Sequence, residues 1–263
     1  MTSAPRDPIS QLLSGKHAVV TGGSRGIGAA VTDILLAHGA RVTSVSRNAS
    51  PIRESGASDS ELQHVNADVS DPAAVKKAFD TARAKLGAIA ILVNNAGQAA
   101  SAPFLKTNAD LWRRIMAVDL DGTFYCTQAA LPDMLAAGWG RIVNISSTSG
   151  LTGYAYVSAY CAAKHGVIGL TRSIAVEVAT KGVTVNAVCP SYTDTDIVKE
   201  AVANIVAKTG RTAEQAQTEL VARNPQKRLV SPEEVANAVA WLCLPGSESV
   251  TGQAITLAGG ELM

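Results

Sequence analysis

Short apolar runs alternate with helical stretches along almost the whole chain. Runs such as HAVVT (17–21), AIAILVNN (88–95) and GVTVNAVCP (182–190) are apolar at nearly every position instead of at every second one. Such continuous hydrophobicity is typical of strands buried on both faces, in a parallel sheet between two helical layers. The pattern predicts strands over 17–21, 40–47, 62–69, 88–95, 140–147, 182–190 and 253–258. It predicts helices over 28–38, 71–86, 107–137, 154–181, 195–223 and 231–244.

Repeated strand–helix units predict a doubly wound α/β sheet of about seven strands with helices on both faces. An eight-unit α/β barrel shows the same alternation and is the structural alternative. The open sheet is favoured because about seven strands are expected and because a glycine cluster follows the first strand. No Pro/Gly/Ser-rich linker divides the chain, so we expect a single domain over 15–263 behind a short flexible arm over 1–14.

The charge balance excludes several classes of partner. The sequence has 23 basic and 22 acidic side chains, which gives a formal net charge of +1. It therefore lacks the basic footprint of a protein that binds nucleic acid or anionic membranes. No apolar run approaches the roughly 18 residues that span a bilayer, and the polar start MTSAPRDPISQ lacks the apolar core of a signal peptide. The four cysteines show no zinc spacing, so we expect a cytoplasmic protein without metal, membrane span or nucleic acid.

The segment TGGSRGIG (21–28) lies between the first predicted strand and the first predicted helix. In this position Gly22 permits a tight turn, Gly26 lets the backbone approach a diphosphate, and Gly28 lets the helix pack closely on the strand. The unpaired N–H groups at the helix start then hold the diphosphate. The loop therefore predicts a Rossmann-type dinucleotide site, although a packing turn alone is the alternative explanation of such glycines. Its predicted cofactor contacts are Gly22, Ser24, Arg25, Gly26, Ile27 and Gly28.

The end of the second predicted strand decides which nicotinamide nucleotide fits. Sites that prefer NAD place a carboxylate there, which accepts hydrogen bonds from the ribose 2′-hydroxyl. This chain has Ser46 and Arg47 instead, and its next acid is Glu54. A carboxylate repels a 2′-phosphate, whereas Arg47 can form charge-assisted hydrogen bonds to it and Arg25 can add a second cation. NADP(H) is therefore the expected cofactor, and NAD(H) remains the alternative.

Tyr160 and Lys164 are four residues apart in a segment without helix breakers, so both side chains lie on one helical face. The ammonium of Lys164 and an oxidised nicotinamide ring are both expected to lower the pKa of the phenol from about 10. Tyr160 is thus the expected general acid in ketone reduction and general base in alcohol oxidation. Ser147, at the carboxyl end of the fifth predicted strand, can donate to the substrate oxygen. Without Ser147, an interior tyrosine beside an outward-pointing lysine would explain the pair better.

Several motifs in this order resemble the short-chain dehydrogenase/reductase family over about residues 15–260. They are the loop spacing Gly-x-x-x-Gly-x-Gly, NNAG (94–97), Ser147 thirteen residues before Tyr160, YCAAK (160–164), Pro190 after the sixth strand, TGQ (251–253) and the glycine pair 259–260. Within the family, the 3-oxoacyl reductases and polyketide-type ketoreductases look most similar, particularly over NPQKRLVSPEEVANAVAWL (224–242).

The resemblance implies further cofactor contacts. Asp68 and Val69 match the family's adenine contacts, and Lys164 matches its contact with the nicotinamide ribose. Thr193 and Thr195 match positions beside the nicotinamide carboxamide. The remaining implied contacts are Asn95, Gly97, Tyr160 and Pro190.

Two positions depart from the family pattern. Asp119, in VDL (118–120), replaces the asparagine of the family's fourth catalytic position. It can serve through its backbone carbonyl, but its carboxylate alters the electrostatics near Lys164. Ser191 replaces the glycine of the family's Pro-Gly, so the backbone beside the nicotinamide is expected to be shifted or strained.

The resemblance implies an NADP(H)-dependent reductase that converts a ketone, first of all a 3-oxoacyl thioester of CoA or an acyl carrier protein, into a secondary alcohol. Simple alcohols, steroids and cyclic ketones are alternative substrates, and a catalytically silent dinucleotide sensor or scaffold is the alternative of another class. The polar stretch 191–230 is the expected substrate lid. Residues 159–170 are apolar on nearly every face, so a second subunit is expected to cover one side. Family members assemble this way as tetramers, which implies a homotetramer.

Overall fold

The computed structural model describes residues 11–48 and 61–262, and within them it confirms the open sheet. In this part of the chain seven parallel strands lie in the order β3-β2-β1-β4-β5-β6-β7. Their bounds are β1 (His17–Thr21), β2 (Arg41–Ser46), β3 (Leu62–Asn66), β4 (Ile89–Asn94), β5 (Gly140–Ile145), β6 (Val183–Pro190) and β7 (Ala254–Leu257). The strand order reverses between β1 and β4, so a crevice opens at their carboxyl ends, where open α/β sheets bind ligands.

Helices pack on both faces of the sheet because successive residues of a strand point to opposite faces. Ala18 and Val20 of β1 belong to a core that includes α1 and α8, whereas Val19 belongs to a core that includes α2, α4 and α5. The helices are α1 (Gly26–Ala37), α2 (Pro72–Leu86), α3 (Ala109–Met116), α4 (Gly122–Ala137), α5 (Ser158–Val178), α6 (Asp196–Thr209), α7 (Ala213–Leu220) and α8 (Pro232–Cys243). Every helix in the described ranges is too short or too polar to cross a membrane.

The structure corrects the predicted course of two helices and of the N-terminal arm. The helix expected over 107–137 is interrupted by a π-helical turn, Ala117–Asp121, between α3 and α4. The helix expected over 195–223 divides into α6 and α7, because Gly210 adopts a left-handed φ of +70° and ends α6. Leu13, expected in the flexible arm, is buried in the core. Residues 1–10 of that arm lie outside the described residues, as does Glu54.

Candidate active site

The glycine loop forms a backbone cradle at the carboxyl end of β1. Gly22 and Gly26 have φ values of +65° and +52°, left-handed conformations that favour glycine. A Cβ atom on Gly28 would lie 2.2 Å from the carbonyl oxygen of Gly22, so no larger residue fits there. Arg25, at the N-cap of α1, makes no side-chain hydrogen bond to the first turn, which also holds no acidic residue. The N–H groups of this helix end are thus available to an anion, as a dinucleotide diphosphate requires.

Asn95 holds this cradle against β4. Its side-chain amide donates to the backbone oxygens of Thr21 at 2.9 Å and Gly22 at 3.3 Å. The Thr21 hydroxyl oxygen accepts from the backbone N–H groups of Asn95 and Ala96, both at 3.0 Å. Asn95, predicted as a cofactor contact, therefore uses its side chain to position the glycine loop.

The ends of β2 and β3 bring Arg47 and Asp68 to one side of the crevice. Ser46 ends β2 and is followed by the exposed Arg47. Hydrogen bonds from the hydroxyl and N–H of Ser70, at 2.7 and 2.9 Å, hold the pKa of Asp68 below its ordinary value. The charge of Arg47 lowers that pKa further, so the two side chains lie within electrostatic range. Val69 follows as a buried residue. These positions fit the adenosine end of a dinucleotide.

Arg25 points toward α6 instead of toward Arg47. Its Nη1 atom lies 3.1 Å from Oδ2 of Asp196, and both side chains are exposed. An exposed ion pair of this kind contributes little stability, but it links the glycine loop to the first turn of α6. The sequence predicts that Arg47 and Arg25 together meet the 2′-phosphate; in the structure Arg25 pairs with Asp196, whereas Arg47 lies within electrostatic range of Asp68. Ser24 and Ile27 are partly buried, and Ile27 packs against the core.

Helix α5 presents Tyr160 and Lys164 one turn apart, as their spacing predicts. The buried Lys164 donates from Nζ to the backbone oxygen of Ile145 at 2.9 Å, and this Nζ lies 5.6 Å from the ring centroid of Tyr160. Ser147 follows β5 and lies close enough to Tyr160 to lower the pKa of its phenol. The Oγ atom of Ser147 accepts from the N–H of Ser149 at 3.1 Å. The fold thus brings the three predicted catalytic groups together.

A buried carboxylate completes this cluster. Asp119 lies in the π-helical turn, and its Oδ1 atom is 3.4 Å from the Nζ atom of Lys164. Both carboxylate oxygens accept from the N–H of Gln98 at 3.3 Å, and the backbone oxygen accepts from Thr123 Oγ1 at 3.0 Å. A Cβ atom on Gly97 would lie 2.7 Å from Oδ1, so glycine permits this approach. Asp119 therefore faces the lysine with its carboxylate.

Burial and charge together set the proton affinities of the cluster. Burial raises the pKa of Asp119, and the ammonium of Lys164 opposes this rise. Burial lowers the pKa of Lys164, but Asp119 and Tyr160 raise it overall. Burial also raises the pKa of Tyr160, Asp119 adds to the rise, and Lys164 and Ser147 act against it. Lys164 thus lowers the Tyr160 pKa as its position predicts, but burial, the largest effect, and the charge of Asp119 outweigh it, so that the pKa is raised overall.

The segment after β6 forms the opposite wall of the crevice. Pro190 ends β6, and Ser191 has no left-handed φ, so the predicted strain at this residue is wrong. The Ser191 N–H donates to the backbone oxygen of Leu257 at 3.0 Å, and its hydroxyl donates to Oε2 of Glu261 at 2.5 Å. Sequence reasoning missed Glu261, which belongs to no motif. The feature of the sequence that points to Glu261 is Ser191, because its hydroxyl group, absent from the family's glycine, forms a hydrogen bond there.

Thr193 and Thr195 connect this wall to the glycine loop. Thr193 is buried and forms an isolated parallel bridge with Val230, which closes the base of the 191–230 segment. Its hydroxyl donates to the backbone oxygen of Ser191 at 3.0 Å, and that of Thr195 donates to Thr193 at 3.2 Å. A Cβ atom on Gly26 would lie 3.1 Å from Cγ2 of Thr195. The threonines therefore lie between the cradle and the base of the segment.

The helix-end cradle, which fits a diphosphate, lies in the same crevice as the cluster of Tyr160, Lys164 and Ser147. Together these two features define an oxidoreductase that acts on CH–OH groups. The chain belongs to the short-chain dehydrogenase family, whose model matches residues 16–206. The family and the kind of enzyme predicted from the sequence are thereby confirmed.

Proteins of this family are similar to the chain over nearly its whole length. It is 40% identical over 259 residues to cis-4-hydroxycyclohexanecarboxylate dehydrogenase of Sinomonas cyclohexanicum, covering 96% of this chain and 98% of that protein. It is 35% identical over 253 residues to 3-oxoacyl-[acyl-carrier-protein] reductase FabG of Vibrio cholerae, covering 95% and 99%. A crystal structure of an actinorhodin polyketide ketoreductase variant with NADPH matches with a TM-score of 0.89 at 33% identity, covering 96% and 98%.

Proposed function

We propose that this chain reduces a ketone to a secondary alcohol with NADPH. The observation that carries the proposal is the cluster of Ser147, Tyr160 and Lys164 in the crevice beside the glycine cradle. The nicotinamide, when bound, supplies the hydride that reduces the carbonyl carbon. Ser147 donates a hydrogen bond to the carbonyl oxygen as negative charge develops there, and Tyr160 donates the proton that completes the alcohol.

Lys164 stabilises the phenolate that remains after this proton transfer. Its Nζ atom is fixed between the backbone oxygen of Ile145 and the carboxylate of Asp119. Because Asp119 and Tyr160 raise the pKa of Lys164, the lysine stays charged through neutral pH. In the reverse direction, Tyr160 accepts the proton of the alcohol.

NADPH is the proposed reductant because Arg47 stands where a carboxylate favours NADH. Arg47 is exposed at the end of β2, within electrostatic range of Asp68. The structurally similar polyketide ketoreductase was crystallised with NADPH, which supports the same choice. NADH is the alternative reductant.

A 3-oxoacyl thioester or a related carbonyl compound is the proposed substrate. Similarity to a 3-oxoacyl-[acyl-carrier-protein] reductase and to a polyketide ketoreductase supports this class. Similarity to a hydroxycyclohexanecarboxylate dehydrogenase supports cyclic compounds as a second candidate. Residues 191–230 serve as the substrate lid. Each of its helices buries a single residue, Val198 in α6 and Ala216 in α7, so little packing energy opposes movement of the lid.

The proposed assembly is a cytoplasmic homotetramer. Apolar side chains remain on the surfaces of α3, α4 and α5, where Val176 of α5 is 81% exposed and Trp112 and Phe124 are also exposed. Exposed apolar surface of this kind favours contact with further subunits. Light scattering of the purified protein measures the oligomeric state directly.

The test follows the decay of NADPH and NADH absorbance with a panel of acyl-thioester, cyclic and aromatic ketones. Tyr160→Phe is expected to keep NADPH binding but lower turnover by about 10²–10⁴-fold, the contribution of a positioned proton donor. Tyr156→Phe is the matched control, because Tyr156 is exposed and lies four residues before Tyr160, in the turn that precedes α5. Near-normal turnover by Tyr160→Phe would contradict the mechanism. NADPH binding without turnover of any ketone would favour the dinucleotide sensor.

A further inference from the structure

A second buried carboxylate, Glu261, lies against the catalytic crevice. Its side chain is 2% exposed, and its two oxygens accept from the hydroxyl groups of Tyr154 at 2.6 Å and Ser191 at 2.5 Å. Tyr154 belongs to the segment between Ser147 and Tyr160, and Ser191 directly follows β6. Glu261 therefore joins the two segments that flank the proposed catalytic groups.

Arg223 lies over this carboxylate at the end of the 191–230 segment. Its Nε atom is 3.7 Å from Oε1 of Glu261, and its guanidinium carbon is 4.8 Å from the ring centroid of Tyr154. The side chain is nevertheless 56% exposed. Stacking on the ring and the buried charge thus fix the orientation of the guanidinium while part of it faces solvent.

The hydrogen-bonding capacity of Arg223 is largely unused in the described part of the chain. The separation of 3.7 Å from Glu261 exceeds a direct hydrogen bond, and the carboxylate is already satisfied by two hydroxyl donors. Within residues 11–48 and 61–262, no hydrogen bond involves either Nη atom of Arg223. Arg228 differs, because its two Nη atoms donate to both oxygens of Glu234 at 2.7 and 2.6 Å.

The backbone beside Arg223 is held in place as well. Asn224 is buried, its Nδ2 atom donates to the backbone oxygen of Arg228 at 3.1 Å, and its Oδ1 atom accepts from the N–H of Gln226 at 2.8 Å. A Cβ atom on Gly259 would lie 2.3 Å from Oδ1 of Asn224, so this turn packs tightly on the C-terminal segment. A cation fixed through both its side chain and its backbone is preorganised for an anionic ligand.

Tyr192 connects the arginine electrostatically to the catalytic tyrosine. Burial raises the pKa of Tyr192, Glu261 and Tyr160 raise it further, and Arg223 lowers it. One phenol therefore lies within range of both Tyr160 and Arg223. The contacts of Glu261 give the same direction, because the carboxylate beside Arg223 accepts from Ser191 in the wall of the crevice and from Tyr154, between Ser147 and Tyr160. The guanidinium therefore borders the space into which a substrate held at Tyr160 extends.

We propose that the Nη atoms of Arg223 bind the carboxylate of an oxo acid or hydroxy acid whose carbonyl or alcohol group lies at Ser147 and Tyr160. A guanidinium edge matches a carboxylate with two parallel N–H donors, and neutral esters and ketones cannot use this charge. The proposal rests on the ketone reduction proposed above and narrows its substrate from carbonyl compounds in general to acids.

The test compares 3-oxo acids and 4-oxocyclohexanecarboxylate with their methyl esters, and includes acetoacetyl-CoA as the thioester. We expect the wild-type kcat/KM with NADPH to favour each acid over its ester by about tenfold or more. Arg223→Met is expected to abolish this ratio, mainly through the KM of the acid, and Arg223→Lys to retain part of it. Arg211→Met, an arginine of the same segment paired with Glu219 on α7, is the control and should leave the ratio unchanged.

Three outcomes separate the possibilities. An acid-to-ester ratio near one in the wild type, or a preference for the thioester, overturns the carboxylate site while ketone reduction stands. An equal loss for acid and ester in Arg223→Met also overturns it, since the arginine then only steadies Glu261. If no compound is reduced, the proposed function fails, and calorimetric titration of the acids into the protein with NADP⁺ still tests Arg223. Equal affinity of wild type and Arg223→Met in that titration overturns the site.

Discussion

Replacing Asp119 tests whether a buried carboxylate governs the catalytic lysine. Asp119→Asn keeps the size and an oxygen that can accept from Gln98 and Lys164, but it removes the charge. Asp119→Leu removes both the charge and the acceptor. Asp121→Asn is the matched control, because Asp121 ends the same π-helical turn but is partly exposed and makes no ion pair in the described residues.

The distance between Asp119 and Lys164 sets the size of the expected loss of stability. At the observed 3.4 Å, Coulomb's law gives an attraction of about 5 kcal/mol at an effective dielectric constant near 20, against about 1 kcal/mol in water. Desolvation of both groups offsets much of this attraction, but removal of one partner leaves the other charge buried. Breaking such a pair costs about 3–5 kcal/mol. We therefore expect Asp119→Leu to lower the free energy of unfolding by about 3 kcal/mol, since Lys164 keeps its bond to Ile145. Asp119→Asn should cost about 1–2 kcal/mol.

Urea unfolding followed by tryptophan fluorescence measures these changes. Because Asp119 raises the pKa of Lys164, the contribution of the charged lysine is present at neutral pH and is lost as the pH rises through its alkaline titration. Protonation of Asp119, whose pKa is raised by burial, removes the pair on the acid side. The neutral-pH measurement thus reports the intact pair. A loss below about 1 kcal/mol for Asp119→Leu would refute the assignment of Asp119 as the counter-charge, because that is the scale of an exposed pair.

The same substitution changes the pH dependence of catalysis. The charge of Asp119 raises the pKa of Tyr160, so its removal lowers that pKa. In alcohol oxidation the phenolate is the active base, and kcat/KM rises as it forms. We expect this rise to move to lower pH in Asp119→Asn and to stay in place in Asp121→Asn. An unchanged profile, or a shift to higher pH, would contradict the electrostatic argument.

Two further substitutions test the cofactor site. Arg47→Asp should weaken NADPH binding by about 10–100-fold more than NADH binding, the value of one charge-assisted hydrogen bond; fluorescence titration measures both, and equal weakening would contradict the assignment to the 2′-phosphate. Gly28→Ala should abolish binding of both nucleotides with little change in circular dichroism, since its Cβ atom would meet the Gly22 oxygen at 2.2 Å. Gly153→Ala is the control, because a Cβ atom there meets nothing within 4 Å. Unchanged nucleotide binding by Gly28→Ala would contradict this prediction, because the glycine loop would then relax to accommodate the methyl group.

The sheet was predictable because burial on both faces leaves a direct trace in the sequence. The run predicted over 182–190 is the observed strand Val183–Pro190, in which every residue is buried. Helix starts were predictable where capping is local, as at Asp71, whose side chain accepts from the N–H of Ala73 at 2.9 Å. The errors arose where the helical period continues through an interruption. Neither the π-helical turn 117–121 nor the end of α6 at Gly210 breaks the apolar pattern strongly enough to mark a boundary.

The proton affinity of Tyr160 depends on contacts that its own motif does not contain. The spacing of Tyr160 and Lys164 shows an ammonium beside a phenol, and that pair alone implies a lowered pKa. Asp119 contacts Lys164 from another helical segment. Its charge and the burial of the phenol both raise the pKa of Tyr160. Ser191 is a parallel case, because its hydroxyl bonds Glu261, 70 residues away, and the backbone is not strained. The effect of a departure from a family motif therefore depends on a partner that is close in space but distant in the chain. To measure that effect, the partner has to be substituted together with the motif residue.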